Sequence, residues 1–502
     1  MKKSRVSLTG ASYDSLFLIS VRVVTLCLGL LITRVLSGFF SLQEYGTYSQ
    51  ILLLVTTISN VTTLGMMDGI NYFFCKEPDD KKRDAYVSTI FFLHFSISTF
   101  VSLIVLLCTT PISKYFGNSD IKSLIIFAAI LPVSQNTISL LQVMFIAIGK
   151  AKQIAIRNLA VSVMKLIAVL LSCYMFDSIA VIFVCQVITD GIQILYFIIT
   201  LKKNDCKINV IHYDMSLVRE ILIYCIPMAM FSVIKSLNRD SDKYVISFFT
   251  DTETMAVYAN ASKILPFDII MTSFVTVLMP YITRFVTEKK YMQCQKLFKS
   301  FLELSYIVTT VLAGGAICVA HELFTFLYTE KYASVKFSIP VFIIYILVDI
   351  ISVLNITLIL TAAGKTKVIM FASLFAFLGN IILNIGLFLL IGEIGPAIAT
   401  VIVTLAQGLV ILFMSTKEIE FGINKMFSTY FLLVFLLEVV LWAAIIIGLR
   451  HILILGELPN IIILGICYIS YVVPLICLNL KRIKSCLKII NECKYNLGRK
   501  SA

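Results

Sequence analysis

Charged residues are scarce in this chain of 502 residues, and their scarcity excludes a soluble globular protein. Asp, Glu, Lys and Arg make up 14% of the sequence and hydrophobic residues 59%, and the mean hydropathy is +0.95. A soluble core could not bury so much apolar surface, but a bilayer can, at about 20 apolar residues for each spanning helix. Because backbone groups in lipid must find hydrogen bonds within the chain, we expect an all-α polytopic membrane protein.

The sequence also lacks the motifs that hold metals, nucleotides or disulfide frameworks. None of its 13 cysteines belongs to a Cys-x-x-Cys pair, and there is no glycine-rich phosphate loop. Asp240, Ser241 and Asp242 match the Asp-x-Asp pattern of glycosyltransferases. They lie in an apolar helix, however, and no soluble nucleotide-binding domain is found nearby in the sequence. We therefore expect no metal, no cofactor and no catalytic residues, so that the chain is not an enzyme.

About fourteen apolar stretches divide the chain, each long enough to cross a bilayer. They cover residues 12–36, 47–74, 86–110, 121–148, 154–175, 179–201, 217–250, 256–286, 296–327, 335–362, 367–390, 395–416, 428–449 and 457–480. The linkers between them are short, which leaves no room for a soluble domain.

Two turns between these stretches nearly repeat, which indicates an internal duplication. AIGKAK around Gly149 recurs as AAGKTK around Gly364, 215 residues later, and Tyr48 is matched by Tyr258, 210 residues later. Six helices in each copy would cross the membrane in the same sense, as in transporters with parallel repeats. We therefore predict a six-helix bundle over residues 1–205 and a second over 206–418. Residues 419–502 would form two more helices and a basic cytoplasmic tail.

The distribution of Lys and Arg predicts the orientation. With both termini in the cytoplasm, thirty of the 42 basic residues fall in cytoplasmic segments and five in outer loops. Such a bias is the positive-inside signal of membrane proteins. The net charge of +13 is thus spread over many short loops. It does not form a nucleic-acid face, although the basic tail is able to contact anionic lipid.

Ionisable residues inside the predicted spans are the main functional lead. Each costs at least ~2.5–3.5 kcal/mol near the bilayer centre, so it normally faces a cavity or a partner. We predict that the cations Arg22, Lys235 and Arg239 line a substrate cleft. An alternative for Arg239 is a closed i, i+3 pair with Asp242, which would be purely structural.

Three intramembrane acids are candidates for ion coupling or for partners of these cations. They are Asp68, Asp190 and Asp242. Helix packing is the alternative explanation for Asp68 and Asp190. Asp68 lies within Gly65-x-x-x-Gly69, a small-xxx-small pattern that allows a neighbouring helix to approach closely.

The order and spacing of several motifs resemble those of the multidrug, oligosaccharidyl-lipid and polysaccharide exporter superfamily. Within it, the resemblance is closest to the bacterial O-antigen and polysaccharide flippases of Wzx type. The similar stretches are LQEYGTY (42–48), LGMMDG (64–69), CIP (225–227), DKYVI (242–246), VY (257–258), LYTEKY (327–332), AGKT (363–366), NIILN (380–384) and GEIGPAIAT (392–400).

This resemblance implies two six-helix bundles around a central cleft. It implies that the chain moves an undecaprenyl-pyrophosphate-linked oligosaccharide, such as an O-antigen unit, across the bacterial plasma (inner) membrane. Partners would be the lipid-linked oligosaccharide, membrane lipids, and a polysaccharide polymerase and other assembly proteins. Coupling to a proton or sodium gradient is expected by analogy only.

Two other functions fit the sequence less well. A cation-coupled small-molecule antiporter on the same scaffold would need a net acidic cavity, whereas the seventh helix has an excess of cations. A polysaccharide polymerase or ligase would usually carry a large outer loop, which the predicted topology does not provide.

Overall fold

The computed structural model describes the chain except for residues 1–7, 77–78, 148–150, 203–212, 264, 266, 268, 423–428 and 499–502. In parts of several helices, among them 8–20 and 491–498, it describes the backbone alone. The described residues form helices joined by short turns, without any strand. The predicted all-α class is therefore confirmed.

Twenty α-helices follow one another in the described chain. They are α1 Leu8–Phe39, α2 Leu42–Thr63, α3 Met66–Lys76, α4 Asp80–Leu107, α5 Thr109–Tyr115, α6 Ile121–Ala147, α7 Ala151–Leu171, α8 Ile179–Lys202, α9 Met215–Phe249, α10 Thr252–Ala261, α11 Ile269–Thr287, α12 Tyr291–Cys318, α13 Ala320–Tyr328, α14 Glu330–Ala333, α15 Ser338–Ser352, α16 Leu358–Ala362, α17 Thr366–Ile391, α18 Gly395–Glu418, α19 Thr429–Leu455 and α20 Asn460–Gly498.

Many of these helices are long and apolar enough to cross a membrane. Eleven candidate spans occur among the described residues, and one of them, Thr366–Glu418, contains both α17 and α18. A shorter apolar helix covers Val24–Phe39. A polytopic membrane protein is thus confirmed, while the count of fourteen crossings and the internal repeat stay predictions.

The chain forms two compact units. Unit 1 comprises Met1–Asp240 and Ser247–Ala256, and unit 2 comprises Ser241–Ile246 and Val257–Ala502. The predicted bundle boundaries at 205/206 and 418/419 are defined by the sequence duplication, and they stay predictions.

In unit 1, α2 packs along α6 and α1 packs along α7. Its core contains buried side chains from α3, α4, α6, α8 and α9, including Phe73, Phe91, Phe145 and Phe197. The capping box of Ser41 and Glu44 fixes the start of α2, since each side chain bonds the other residue's backbone N–H. These contacts hold α3 and α9 at defined positions in the unit.

In unit 2, α12 packs along α20, and α17 packs along α18. Buried Phe298 and Phe301 of α12 belong to one core cluster. Gly314 and Gly315 allow the close approach of α20, because a Cβ atom at Gly314 would lie 2.4 Å from the Tyr471 hydroxyl.

Several predicted continuous helices are broken in the structure, among them 47–74, 256–286, 296–327 and 335–362. The stretch 47–74 divides at Leu64 and Gly65, whose φ angles of 42° and 66° end α2 before α3 begins. A Cβ at Gly65 would lie 2.5 Å from the Cys225 carbonyl oxygen, and one at Gly69 would lie 2.6 Å from the Cys225 Sγ. The small-xxx-small pattern thus packs against α9, as expected. The stretch 256–286 is likewise divided, into α10 and α11.

Candidate functional site

In unit 1, the predicted cleft cations Lys235 and Arg239 share one face of α9. They are spaced i, i+4 and both are exposed. Among the described residues, Lys235 makes no ion pair or side-chain hydrogen bond. Tyr224 is half-buried three turns earlier on nearly the same face. The exposed side of α9 therefore carries two cations within the apolar part of the chain.

Arg239 has a nearer acidic partner than the sequence suggested. Its Nη2 lies 3.3 Å from Oδ2 of Asp240, the adjacent residue. The Arg239 side chain is still 56% exposed, so we expect this pair to be weak. Asp242, the other possible partner, is hydrogen-bonded by Tyr345 instead.

Arg22, the third predicted cation, lies within α1. Its side chain is outside the described part of the structure, so its proposed place in the cleft stays a prediction.

Asp68 lies at the break between α2 and α3. It is exposed in the first turn of α3, where the helix dipole favours a negative charge. Tyr224 and Cys225 of α9 are its electrostatic neighbours. The Tyr224 ring stacks on Tyr72 with centroids 4.4 Å apart. Asp68 is therefore an accessible carboxylate beside an aromatic pair, and it is not enclosed in a helix interface.

Polar side chains satisfy the backbone around this break. Asn136 of α6 donates to the Ser59 carbonyl and to the Thr62 hydroxyl, each at 2.9 Å. Asn60 donates to the Ser236 hydroxyl of α9 at 2.7 Å. Broken helices of this kind border substrate sites in many transporters.

Asp190 of α8 is buried and belongs to a separate polar cluster in unit 1. Its Oδ2 accepts a hydrogen bond from Ser134 at 2.8 Å, and its Oδ1 accepts one from Gln186 at 2.6 Å. Lys165 and Arg157 of α7 are its electrostatic neighbours. Asp190 thus has two cations as neighbours, which are not those predicted for the cleft, and its role in coupling stays a prediction.

Unit 2 contains the third predicted acid, Asp242, which is 1% exposed. The Tyr345 hydroxyl donates to its Oδ2. The adjacent Ser241 hydroxyl accepts hydrogen bonds from Nδ2 of Asn380 and of Asn384, at 2.9 and 3.0 Å. The result is a buried carboxylate surrounded by amide and hydroxyl groups.

Two further hydroxyls complete this group, which we call the Asp242 cluster. Tyr258 and Thr400 both adjoin the Tyr345 hydroxyl. The cluster thus comprises Ser241, Asp242, Tyr258, Tyr345, Asn380, Asn384 and Thr400. Oxygen-rich surroundings of this kind suit a proton or a small hard cation. Among the described residues, no group of three or more His, Cys, Asp or Glu side chains could hold a metal.

Sequence reasoning missed several partners in these clusters. Gln186, Asp190 and Gln193 are spaced i, i+4, i+7, so their common helix face could have been recognised. Tyr345 gave no such signal, because the hydrogen bond joins residues 103 positions apart in the chain.

The larger part of this sequence matches a known protein family. The family described as "Polysaccharide biosynthesis protein" matches residues 35–336, which is more than half of the chain and includes α2 to α14. The chain belongs to this family. Its predicted resemblance to polysaccharide flippases is therefore confirmed at the level of the family.

A curated relative is the "Probable lipid II flippase MurJ" of Rickettsia prowazekii (strain Madrid E). It is 24% identical over 305 residues, which cover 57% of this chain and 58% of the relative. The match therefore spans less than two thirds of the relative's length.

Two solved structures share the fold. One is the "Lipid II flippase MurJ, inward closed conformation", with a TM-score of 0.69, 18% identity, and coverage of 91% of this chain and 98% of that one. The other is a multidrug resistance MATE family transporter of the MOP superfamily in its inward-facing conformation. Its TM-score is 0.67 at 11% identity, with coverage of 79% and 94%. The chain thus shares its fold with one protein named as a flippase and one named as a transporter.

Proposed function

We propose that the chain flips a lipid-linked oligosaccharide from the inner to the outer leaflet of the bacterial plasma membrane. Its substrate would be an undecaprenyl-pyrophosphate-linked unit of an O-antigen or related surface polysaccharide. The observation that carries the proposal is the exposed, cationic face of α9 in unit 1, which presents Lys235 and Arg239. Membership of the polysaccharide biosynthesis family and the relative named as a lipid II flippase support it.

The chemistry of the substrate explains why cations would be needed. A pyrophosphate and acidic sugars carry negative charge, whose attraction to a cation strengthens as the local dielectric falls. An ammonium and a guanidinium on one helix face would lower the cost of moving this head group through the membrane. The apolar tail could remain in lipid throughout, so the protein would only need to shield the polar part.

Alternating access is the proposed mode of movement. The duplicated sequence predicts two related bundles, and transporters with such repeats open to one side at a time. Substrate binding must favour one conformation over the other, since equal affinity for both would shift nothing.

We propose that the Asp242 cluster couples this cycle to a proton or sodium gradient. Its carboxylate is buried among hydroxyl and amide groups, so adding or removing a positive charge would change its energy strongly. A conformational change that opens the cluster to one side of the membrane would then depend on whether a proton or sodium ion is bound there.

Both termini would face the cytoplasm, and a polymerase would act on the flipped product at the outer face.

A small-molecule antiporter is the second candidate, favoured only by the likeness to a multidrug resistance transporter. Exposed Lys235 and Arg239 oppose it, because they would repel cationic drugs.

The test uses purified protein in vesicles that carry a fluorescent undecaprenyl-pyrophosphate-linked oligosaccharide in both leaflets. We expect the protein to expose inner-leaflet substrate to a membrane-impermeant quencher or enzyme, while protein-free vesicles do not. Release of a cationic dye in parallel vesicles tests the antiporter. Dye efflux without oligosaccharide flipping would reject the flippase.

A further inference from the structure

The hairpin of α17 and α18 carries an apolar groove that the proposed transport cycle does not use. Its volume is about 660 Å³. Its lining combines small and large apolar residues and includes Phe371, Ala372, Phe375, Ala376, Ala406 and Val410. Phe371 and Phe375 are 50% and 70% exposed, so the groove opens outward from unit 2.

The length of the groove suits a single hydrocarbon chain. It runs along α17 from Val368 to Leu383, which is about 22 Å at 1.5 Å per residue. One leaflet of a bilayer has a hydrocarbon thickness of about 15 Å. Apart from Gln407, which donates to Ser373 at 3.2 Å, its lining is apolar. A fatty acyl chain would therefore fill the groove over most of its length.

One end of the groove is cationic. Lys365 and Lys367 flank the start of α17 and Lys417 lies in the last turn of α18, all three exposed. Lys365 Nζ lies 3.8 Å from Glu418 Oε2, which shows that the two helix ends meet. With the two acids Glu418 and Glu420 against three lysines, this end carries a net charge of about +1. The distribution of Lys and Arg predicts that it faces the cytoplasm.

We propose that this hairpin is a binding site for one anionic phospholipid of the cytoplasmic leaflet. Its phosphate would contact Lys367 and Lys417, and one acyl chain would lie in the groove. The charge of the lysine end and the apolar lining together favour an amphiphile with one negative head group. A phospholipid is preferred over the transport substrate because membrane phospholipid is far more abundant, and the proposal does not depend on the flippase function.

The same two helices supply part of the Asp242 cluster. Asn380 and Asn384 of α17 donate to Ser241, and Thr400 of α18 adjoins Tyr345. A lipid that fills the outer groove would stabilise the packing of α17 on α18 and so the geometry of this cluster. The lipid should then also raise transport activity, an expectation that rests on the proposed function, whereas lipid binding itself does not.

Gly379 offers a way to block the groove without disturbing the helix. It lines the groove, and a Cβ at this position would meet no atom within 4 Å. In Gly379→Leu the side chain would occupy the space of the acyl chain. Gly386→Leu is the matched control, because Gly386 is equally open on the same helix but lies outside the groove.

The experiment is native mass spectrometry of the full chain in detergent, titrated with phosphatidylglycerol or phosphatidylcholine. We expect one phosphatidylglycerol per chain, bound more tightly than phosphatidylcholine. The double variant K367Q/K417Q should lose roughly thirtyfold in affinity, since each lysine near an anionic lipid contributes about a factor of five. Gly379→Leu should lose the bound lipid, whereas Gly386→Leu should retain it. The double variant K481Q/K484Q, which removes two exposed lysines of α20, should also retain it.

Equal binding of the two lipids, or unchanged binding in Gly379→Leu, would overturn the proposal. Undecaprenyl phosphate is the third probe. If it displaces phosphatidylglycerol at equal concentration, the groove holds a prenyl chain and the phospholipid assignment is wrong. A wild-type dimer that Gly379→Leu converts to monomer would instead assign the groove to a second copy of the chain.

Discussion

At the scale of single residues, the intramembrane charges divide into exposed and enclosed groups. Lys235 and Arg239 are exposed on α9, and Asp68 is exposed at the start of α3. Asp190 and Asp242 are each 1% exposed and hydrogen-bonded. An exposed cation can meet a ligand directly, whereas an enclosed carboxylate acts through protonation, ion binding or packing. The two groups therefore call for different tests.

The exposed cations should attract the substrate. In Lys235→Ala we expect flipping to fall by about 10- to 100-fold at normal abundance in the membrane, since a hydrogen bond to a charged group contributes roughly 1.5–3 kcal/mol. Lys235→Arg should retain part of the activity, because the charge remains while the geometry changes. Arg22→Ala should behave like Lys235→Ala.

The measurement is the vesicle assay, with Lys122→Ala as a control that removes an exposed lysine elsewhere in unit 1. Normal flipping by both Lys235→Ala and Arg22→Ala would show that a cationic cleft is not required.

The enclosed Asp242 should govern the response to an ion gradient. Asp242→Asn keeps the size of the side chain but removes its charge, so we expect slow flipping that no longer responds to an imposed sodium or proton gradient. Asp120→Asn, which changes an exposed acid of unit 1, should respond as the wild type does. Gradient-dependent flipping by Asp242→Asn would assign coupling to another group.

At the scale of elements, the break between α2 and α3 depends on one glycine. Gly65 has φ of 66°, and a Cβ there would lie 2.5 Å from the Cys225 carbonyl oxygen. A side chain would thus combine left-handed backbone strain with a clash against α9. This element positions Asp68 and Tyr72 next to Tyr224, so its geometry affects the candidate site directly.

We expect Gly65→Ala to lower the free energy of unfolding by about 1–3 kcal/mol from backbone strain alone, with the clash adding to this loss. Gly191→Ala should be neutral or slightly stabilising, because Gly191 lies in α8 and has open space around its Cβ position. Thermal unfolding of both variants in detergent measures the difference. Equal stability of the two would show that α3 can shift away from Cys225.

At the scale of the whole molecule, the distribution of Lys and Arg predicts the topology. An even number of crossings together with the bias of thirty to five predicts that both termini lie in the cytoplasm. A reporter fused after Lys488 should be active as a cytoplasmic fusion and inactive as a periplasmic one. An external C-terminus would contradict the prediction of fourteen crossings.

The sequence by itself determined the class, the membrane and the family. Apolar stretches of this length form membrane-spanning helices, because in lipid only helices and closed barrels satisfy the hydrogen bonds of the backbone. Motif order then indicated the family that the comparison confirmed. The sequence also identified Lys235 as an intramembrane cation, since a charged residue in an apolar stretch is easily recognised.

Only the tertiary structure decided which charges are enclosed and which partners they have. Asp242 meets Tyr345, and Ser241 meets Asn380 and Asn384, across more than 100 residues of chain. Helical periodicity gives the face of a residue but not the element that packs against that face. Gly65 is a local signal for the end of α2, but its close contact with Cys225 of α9 could not be read from the sequence. Such pairings depend on packing between distant segments, which no local pattern encodes.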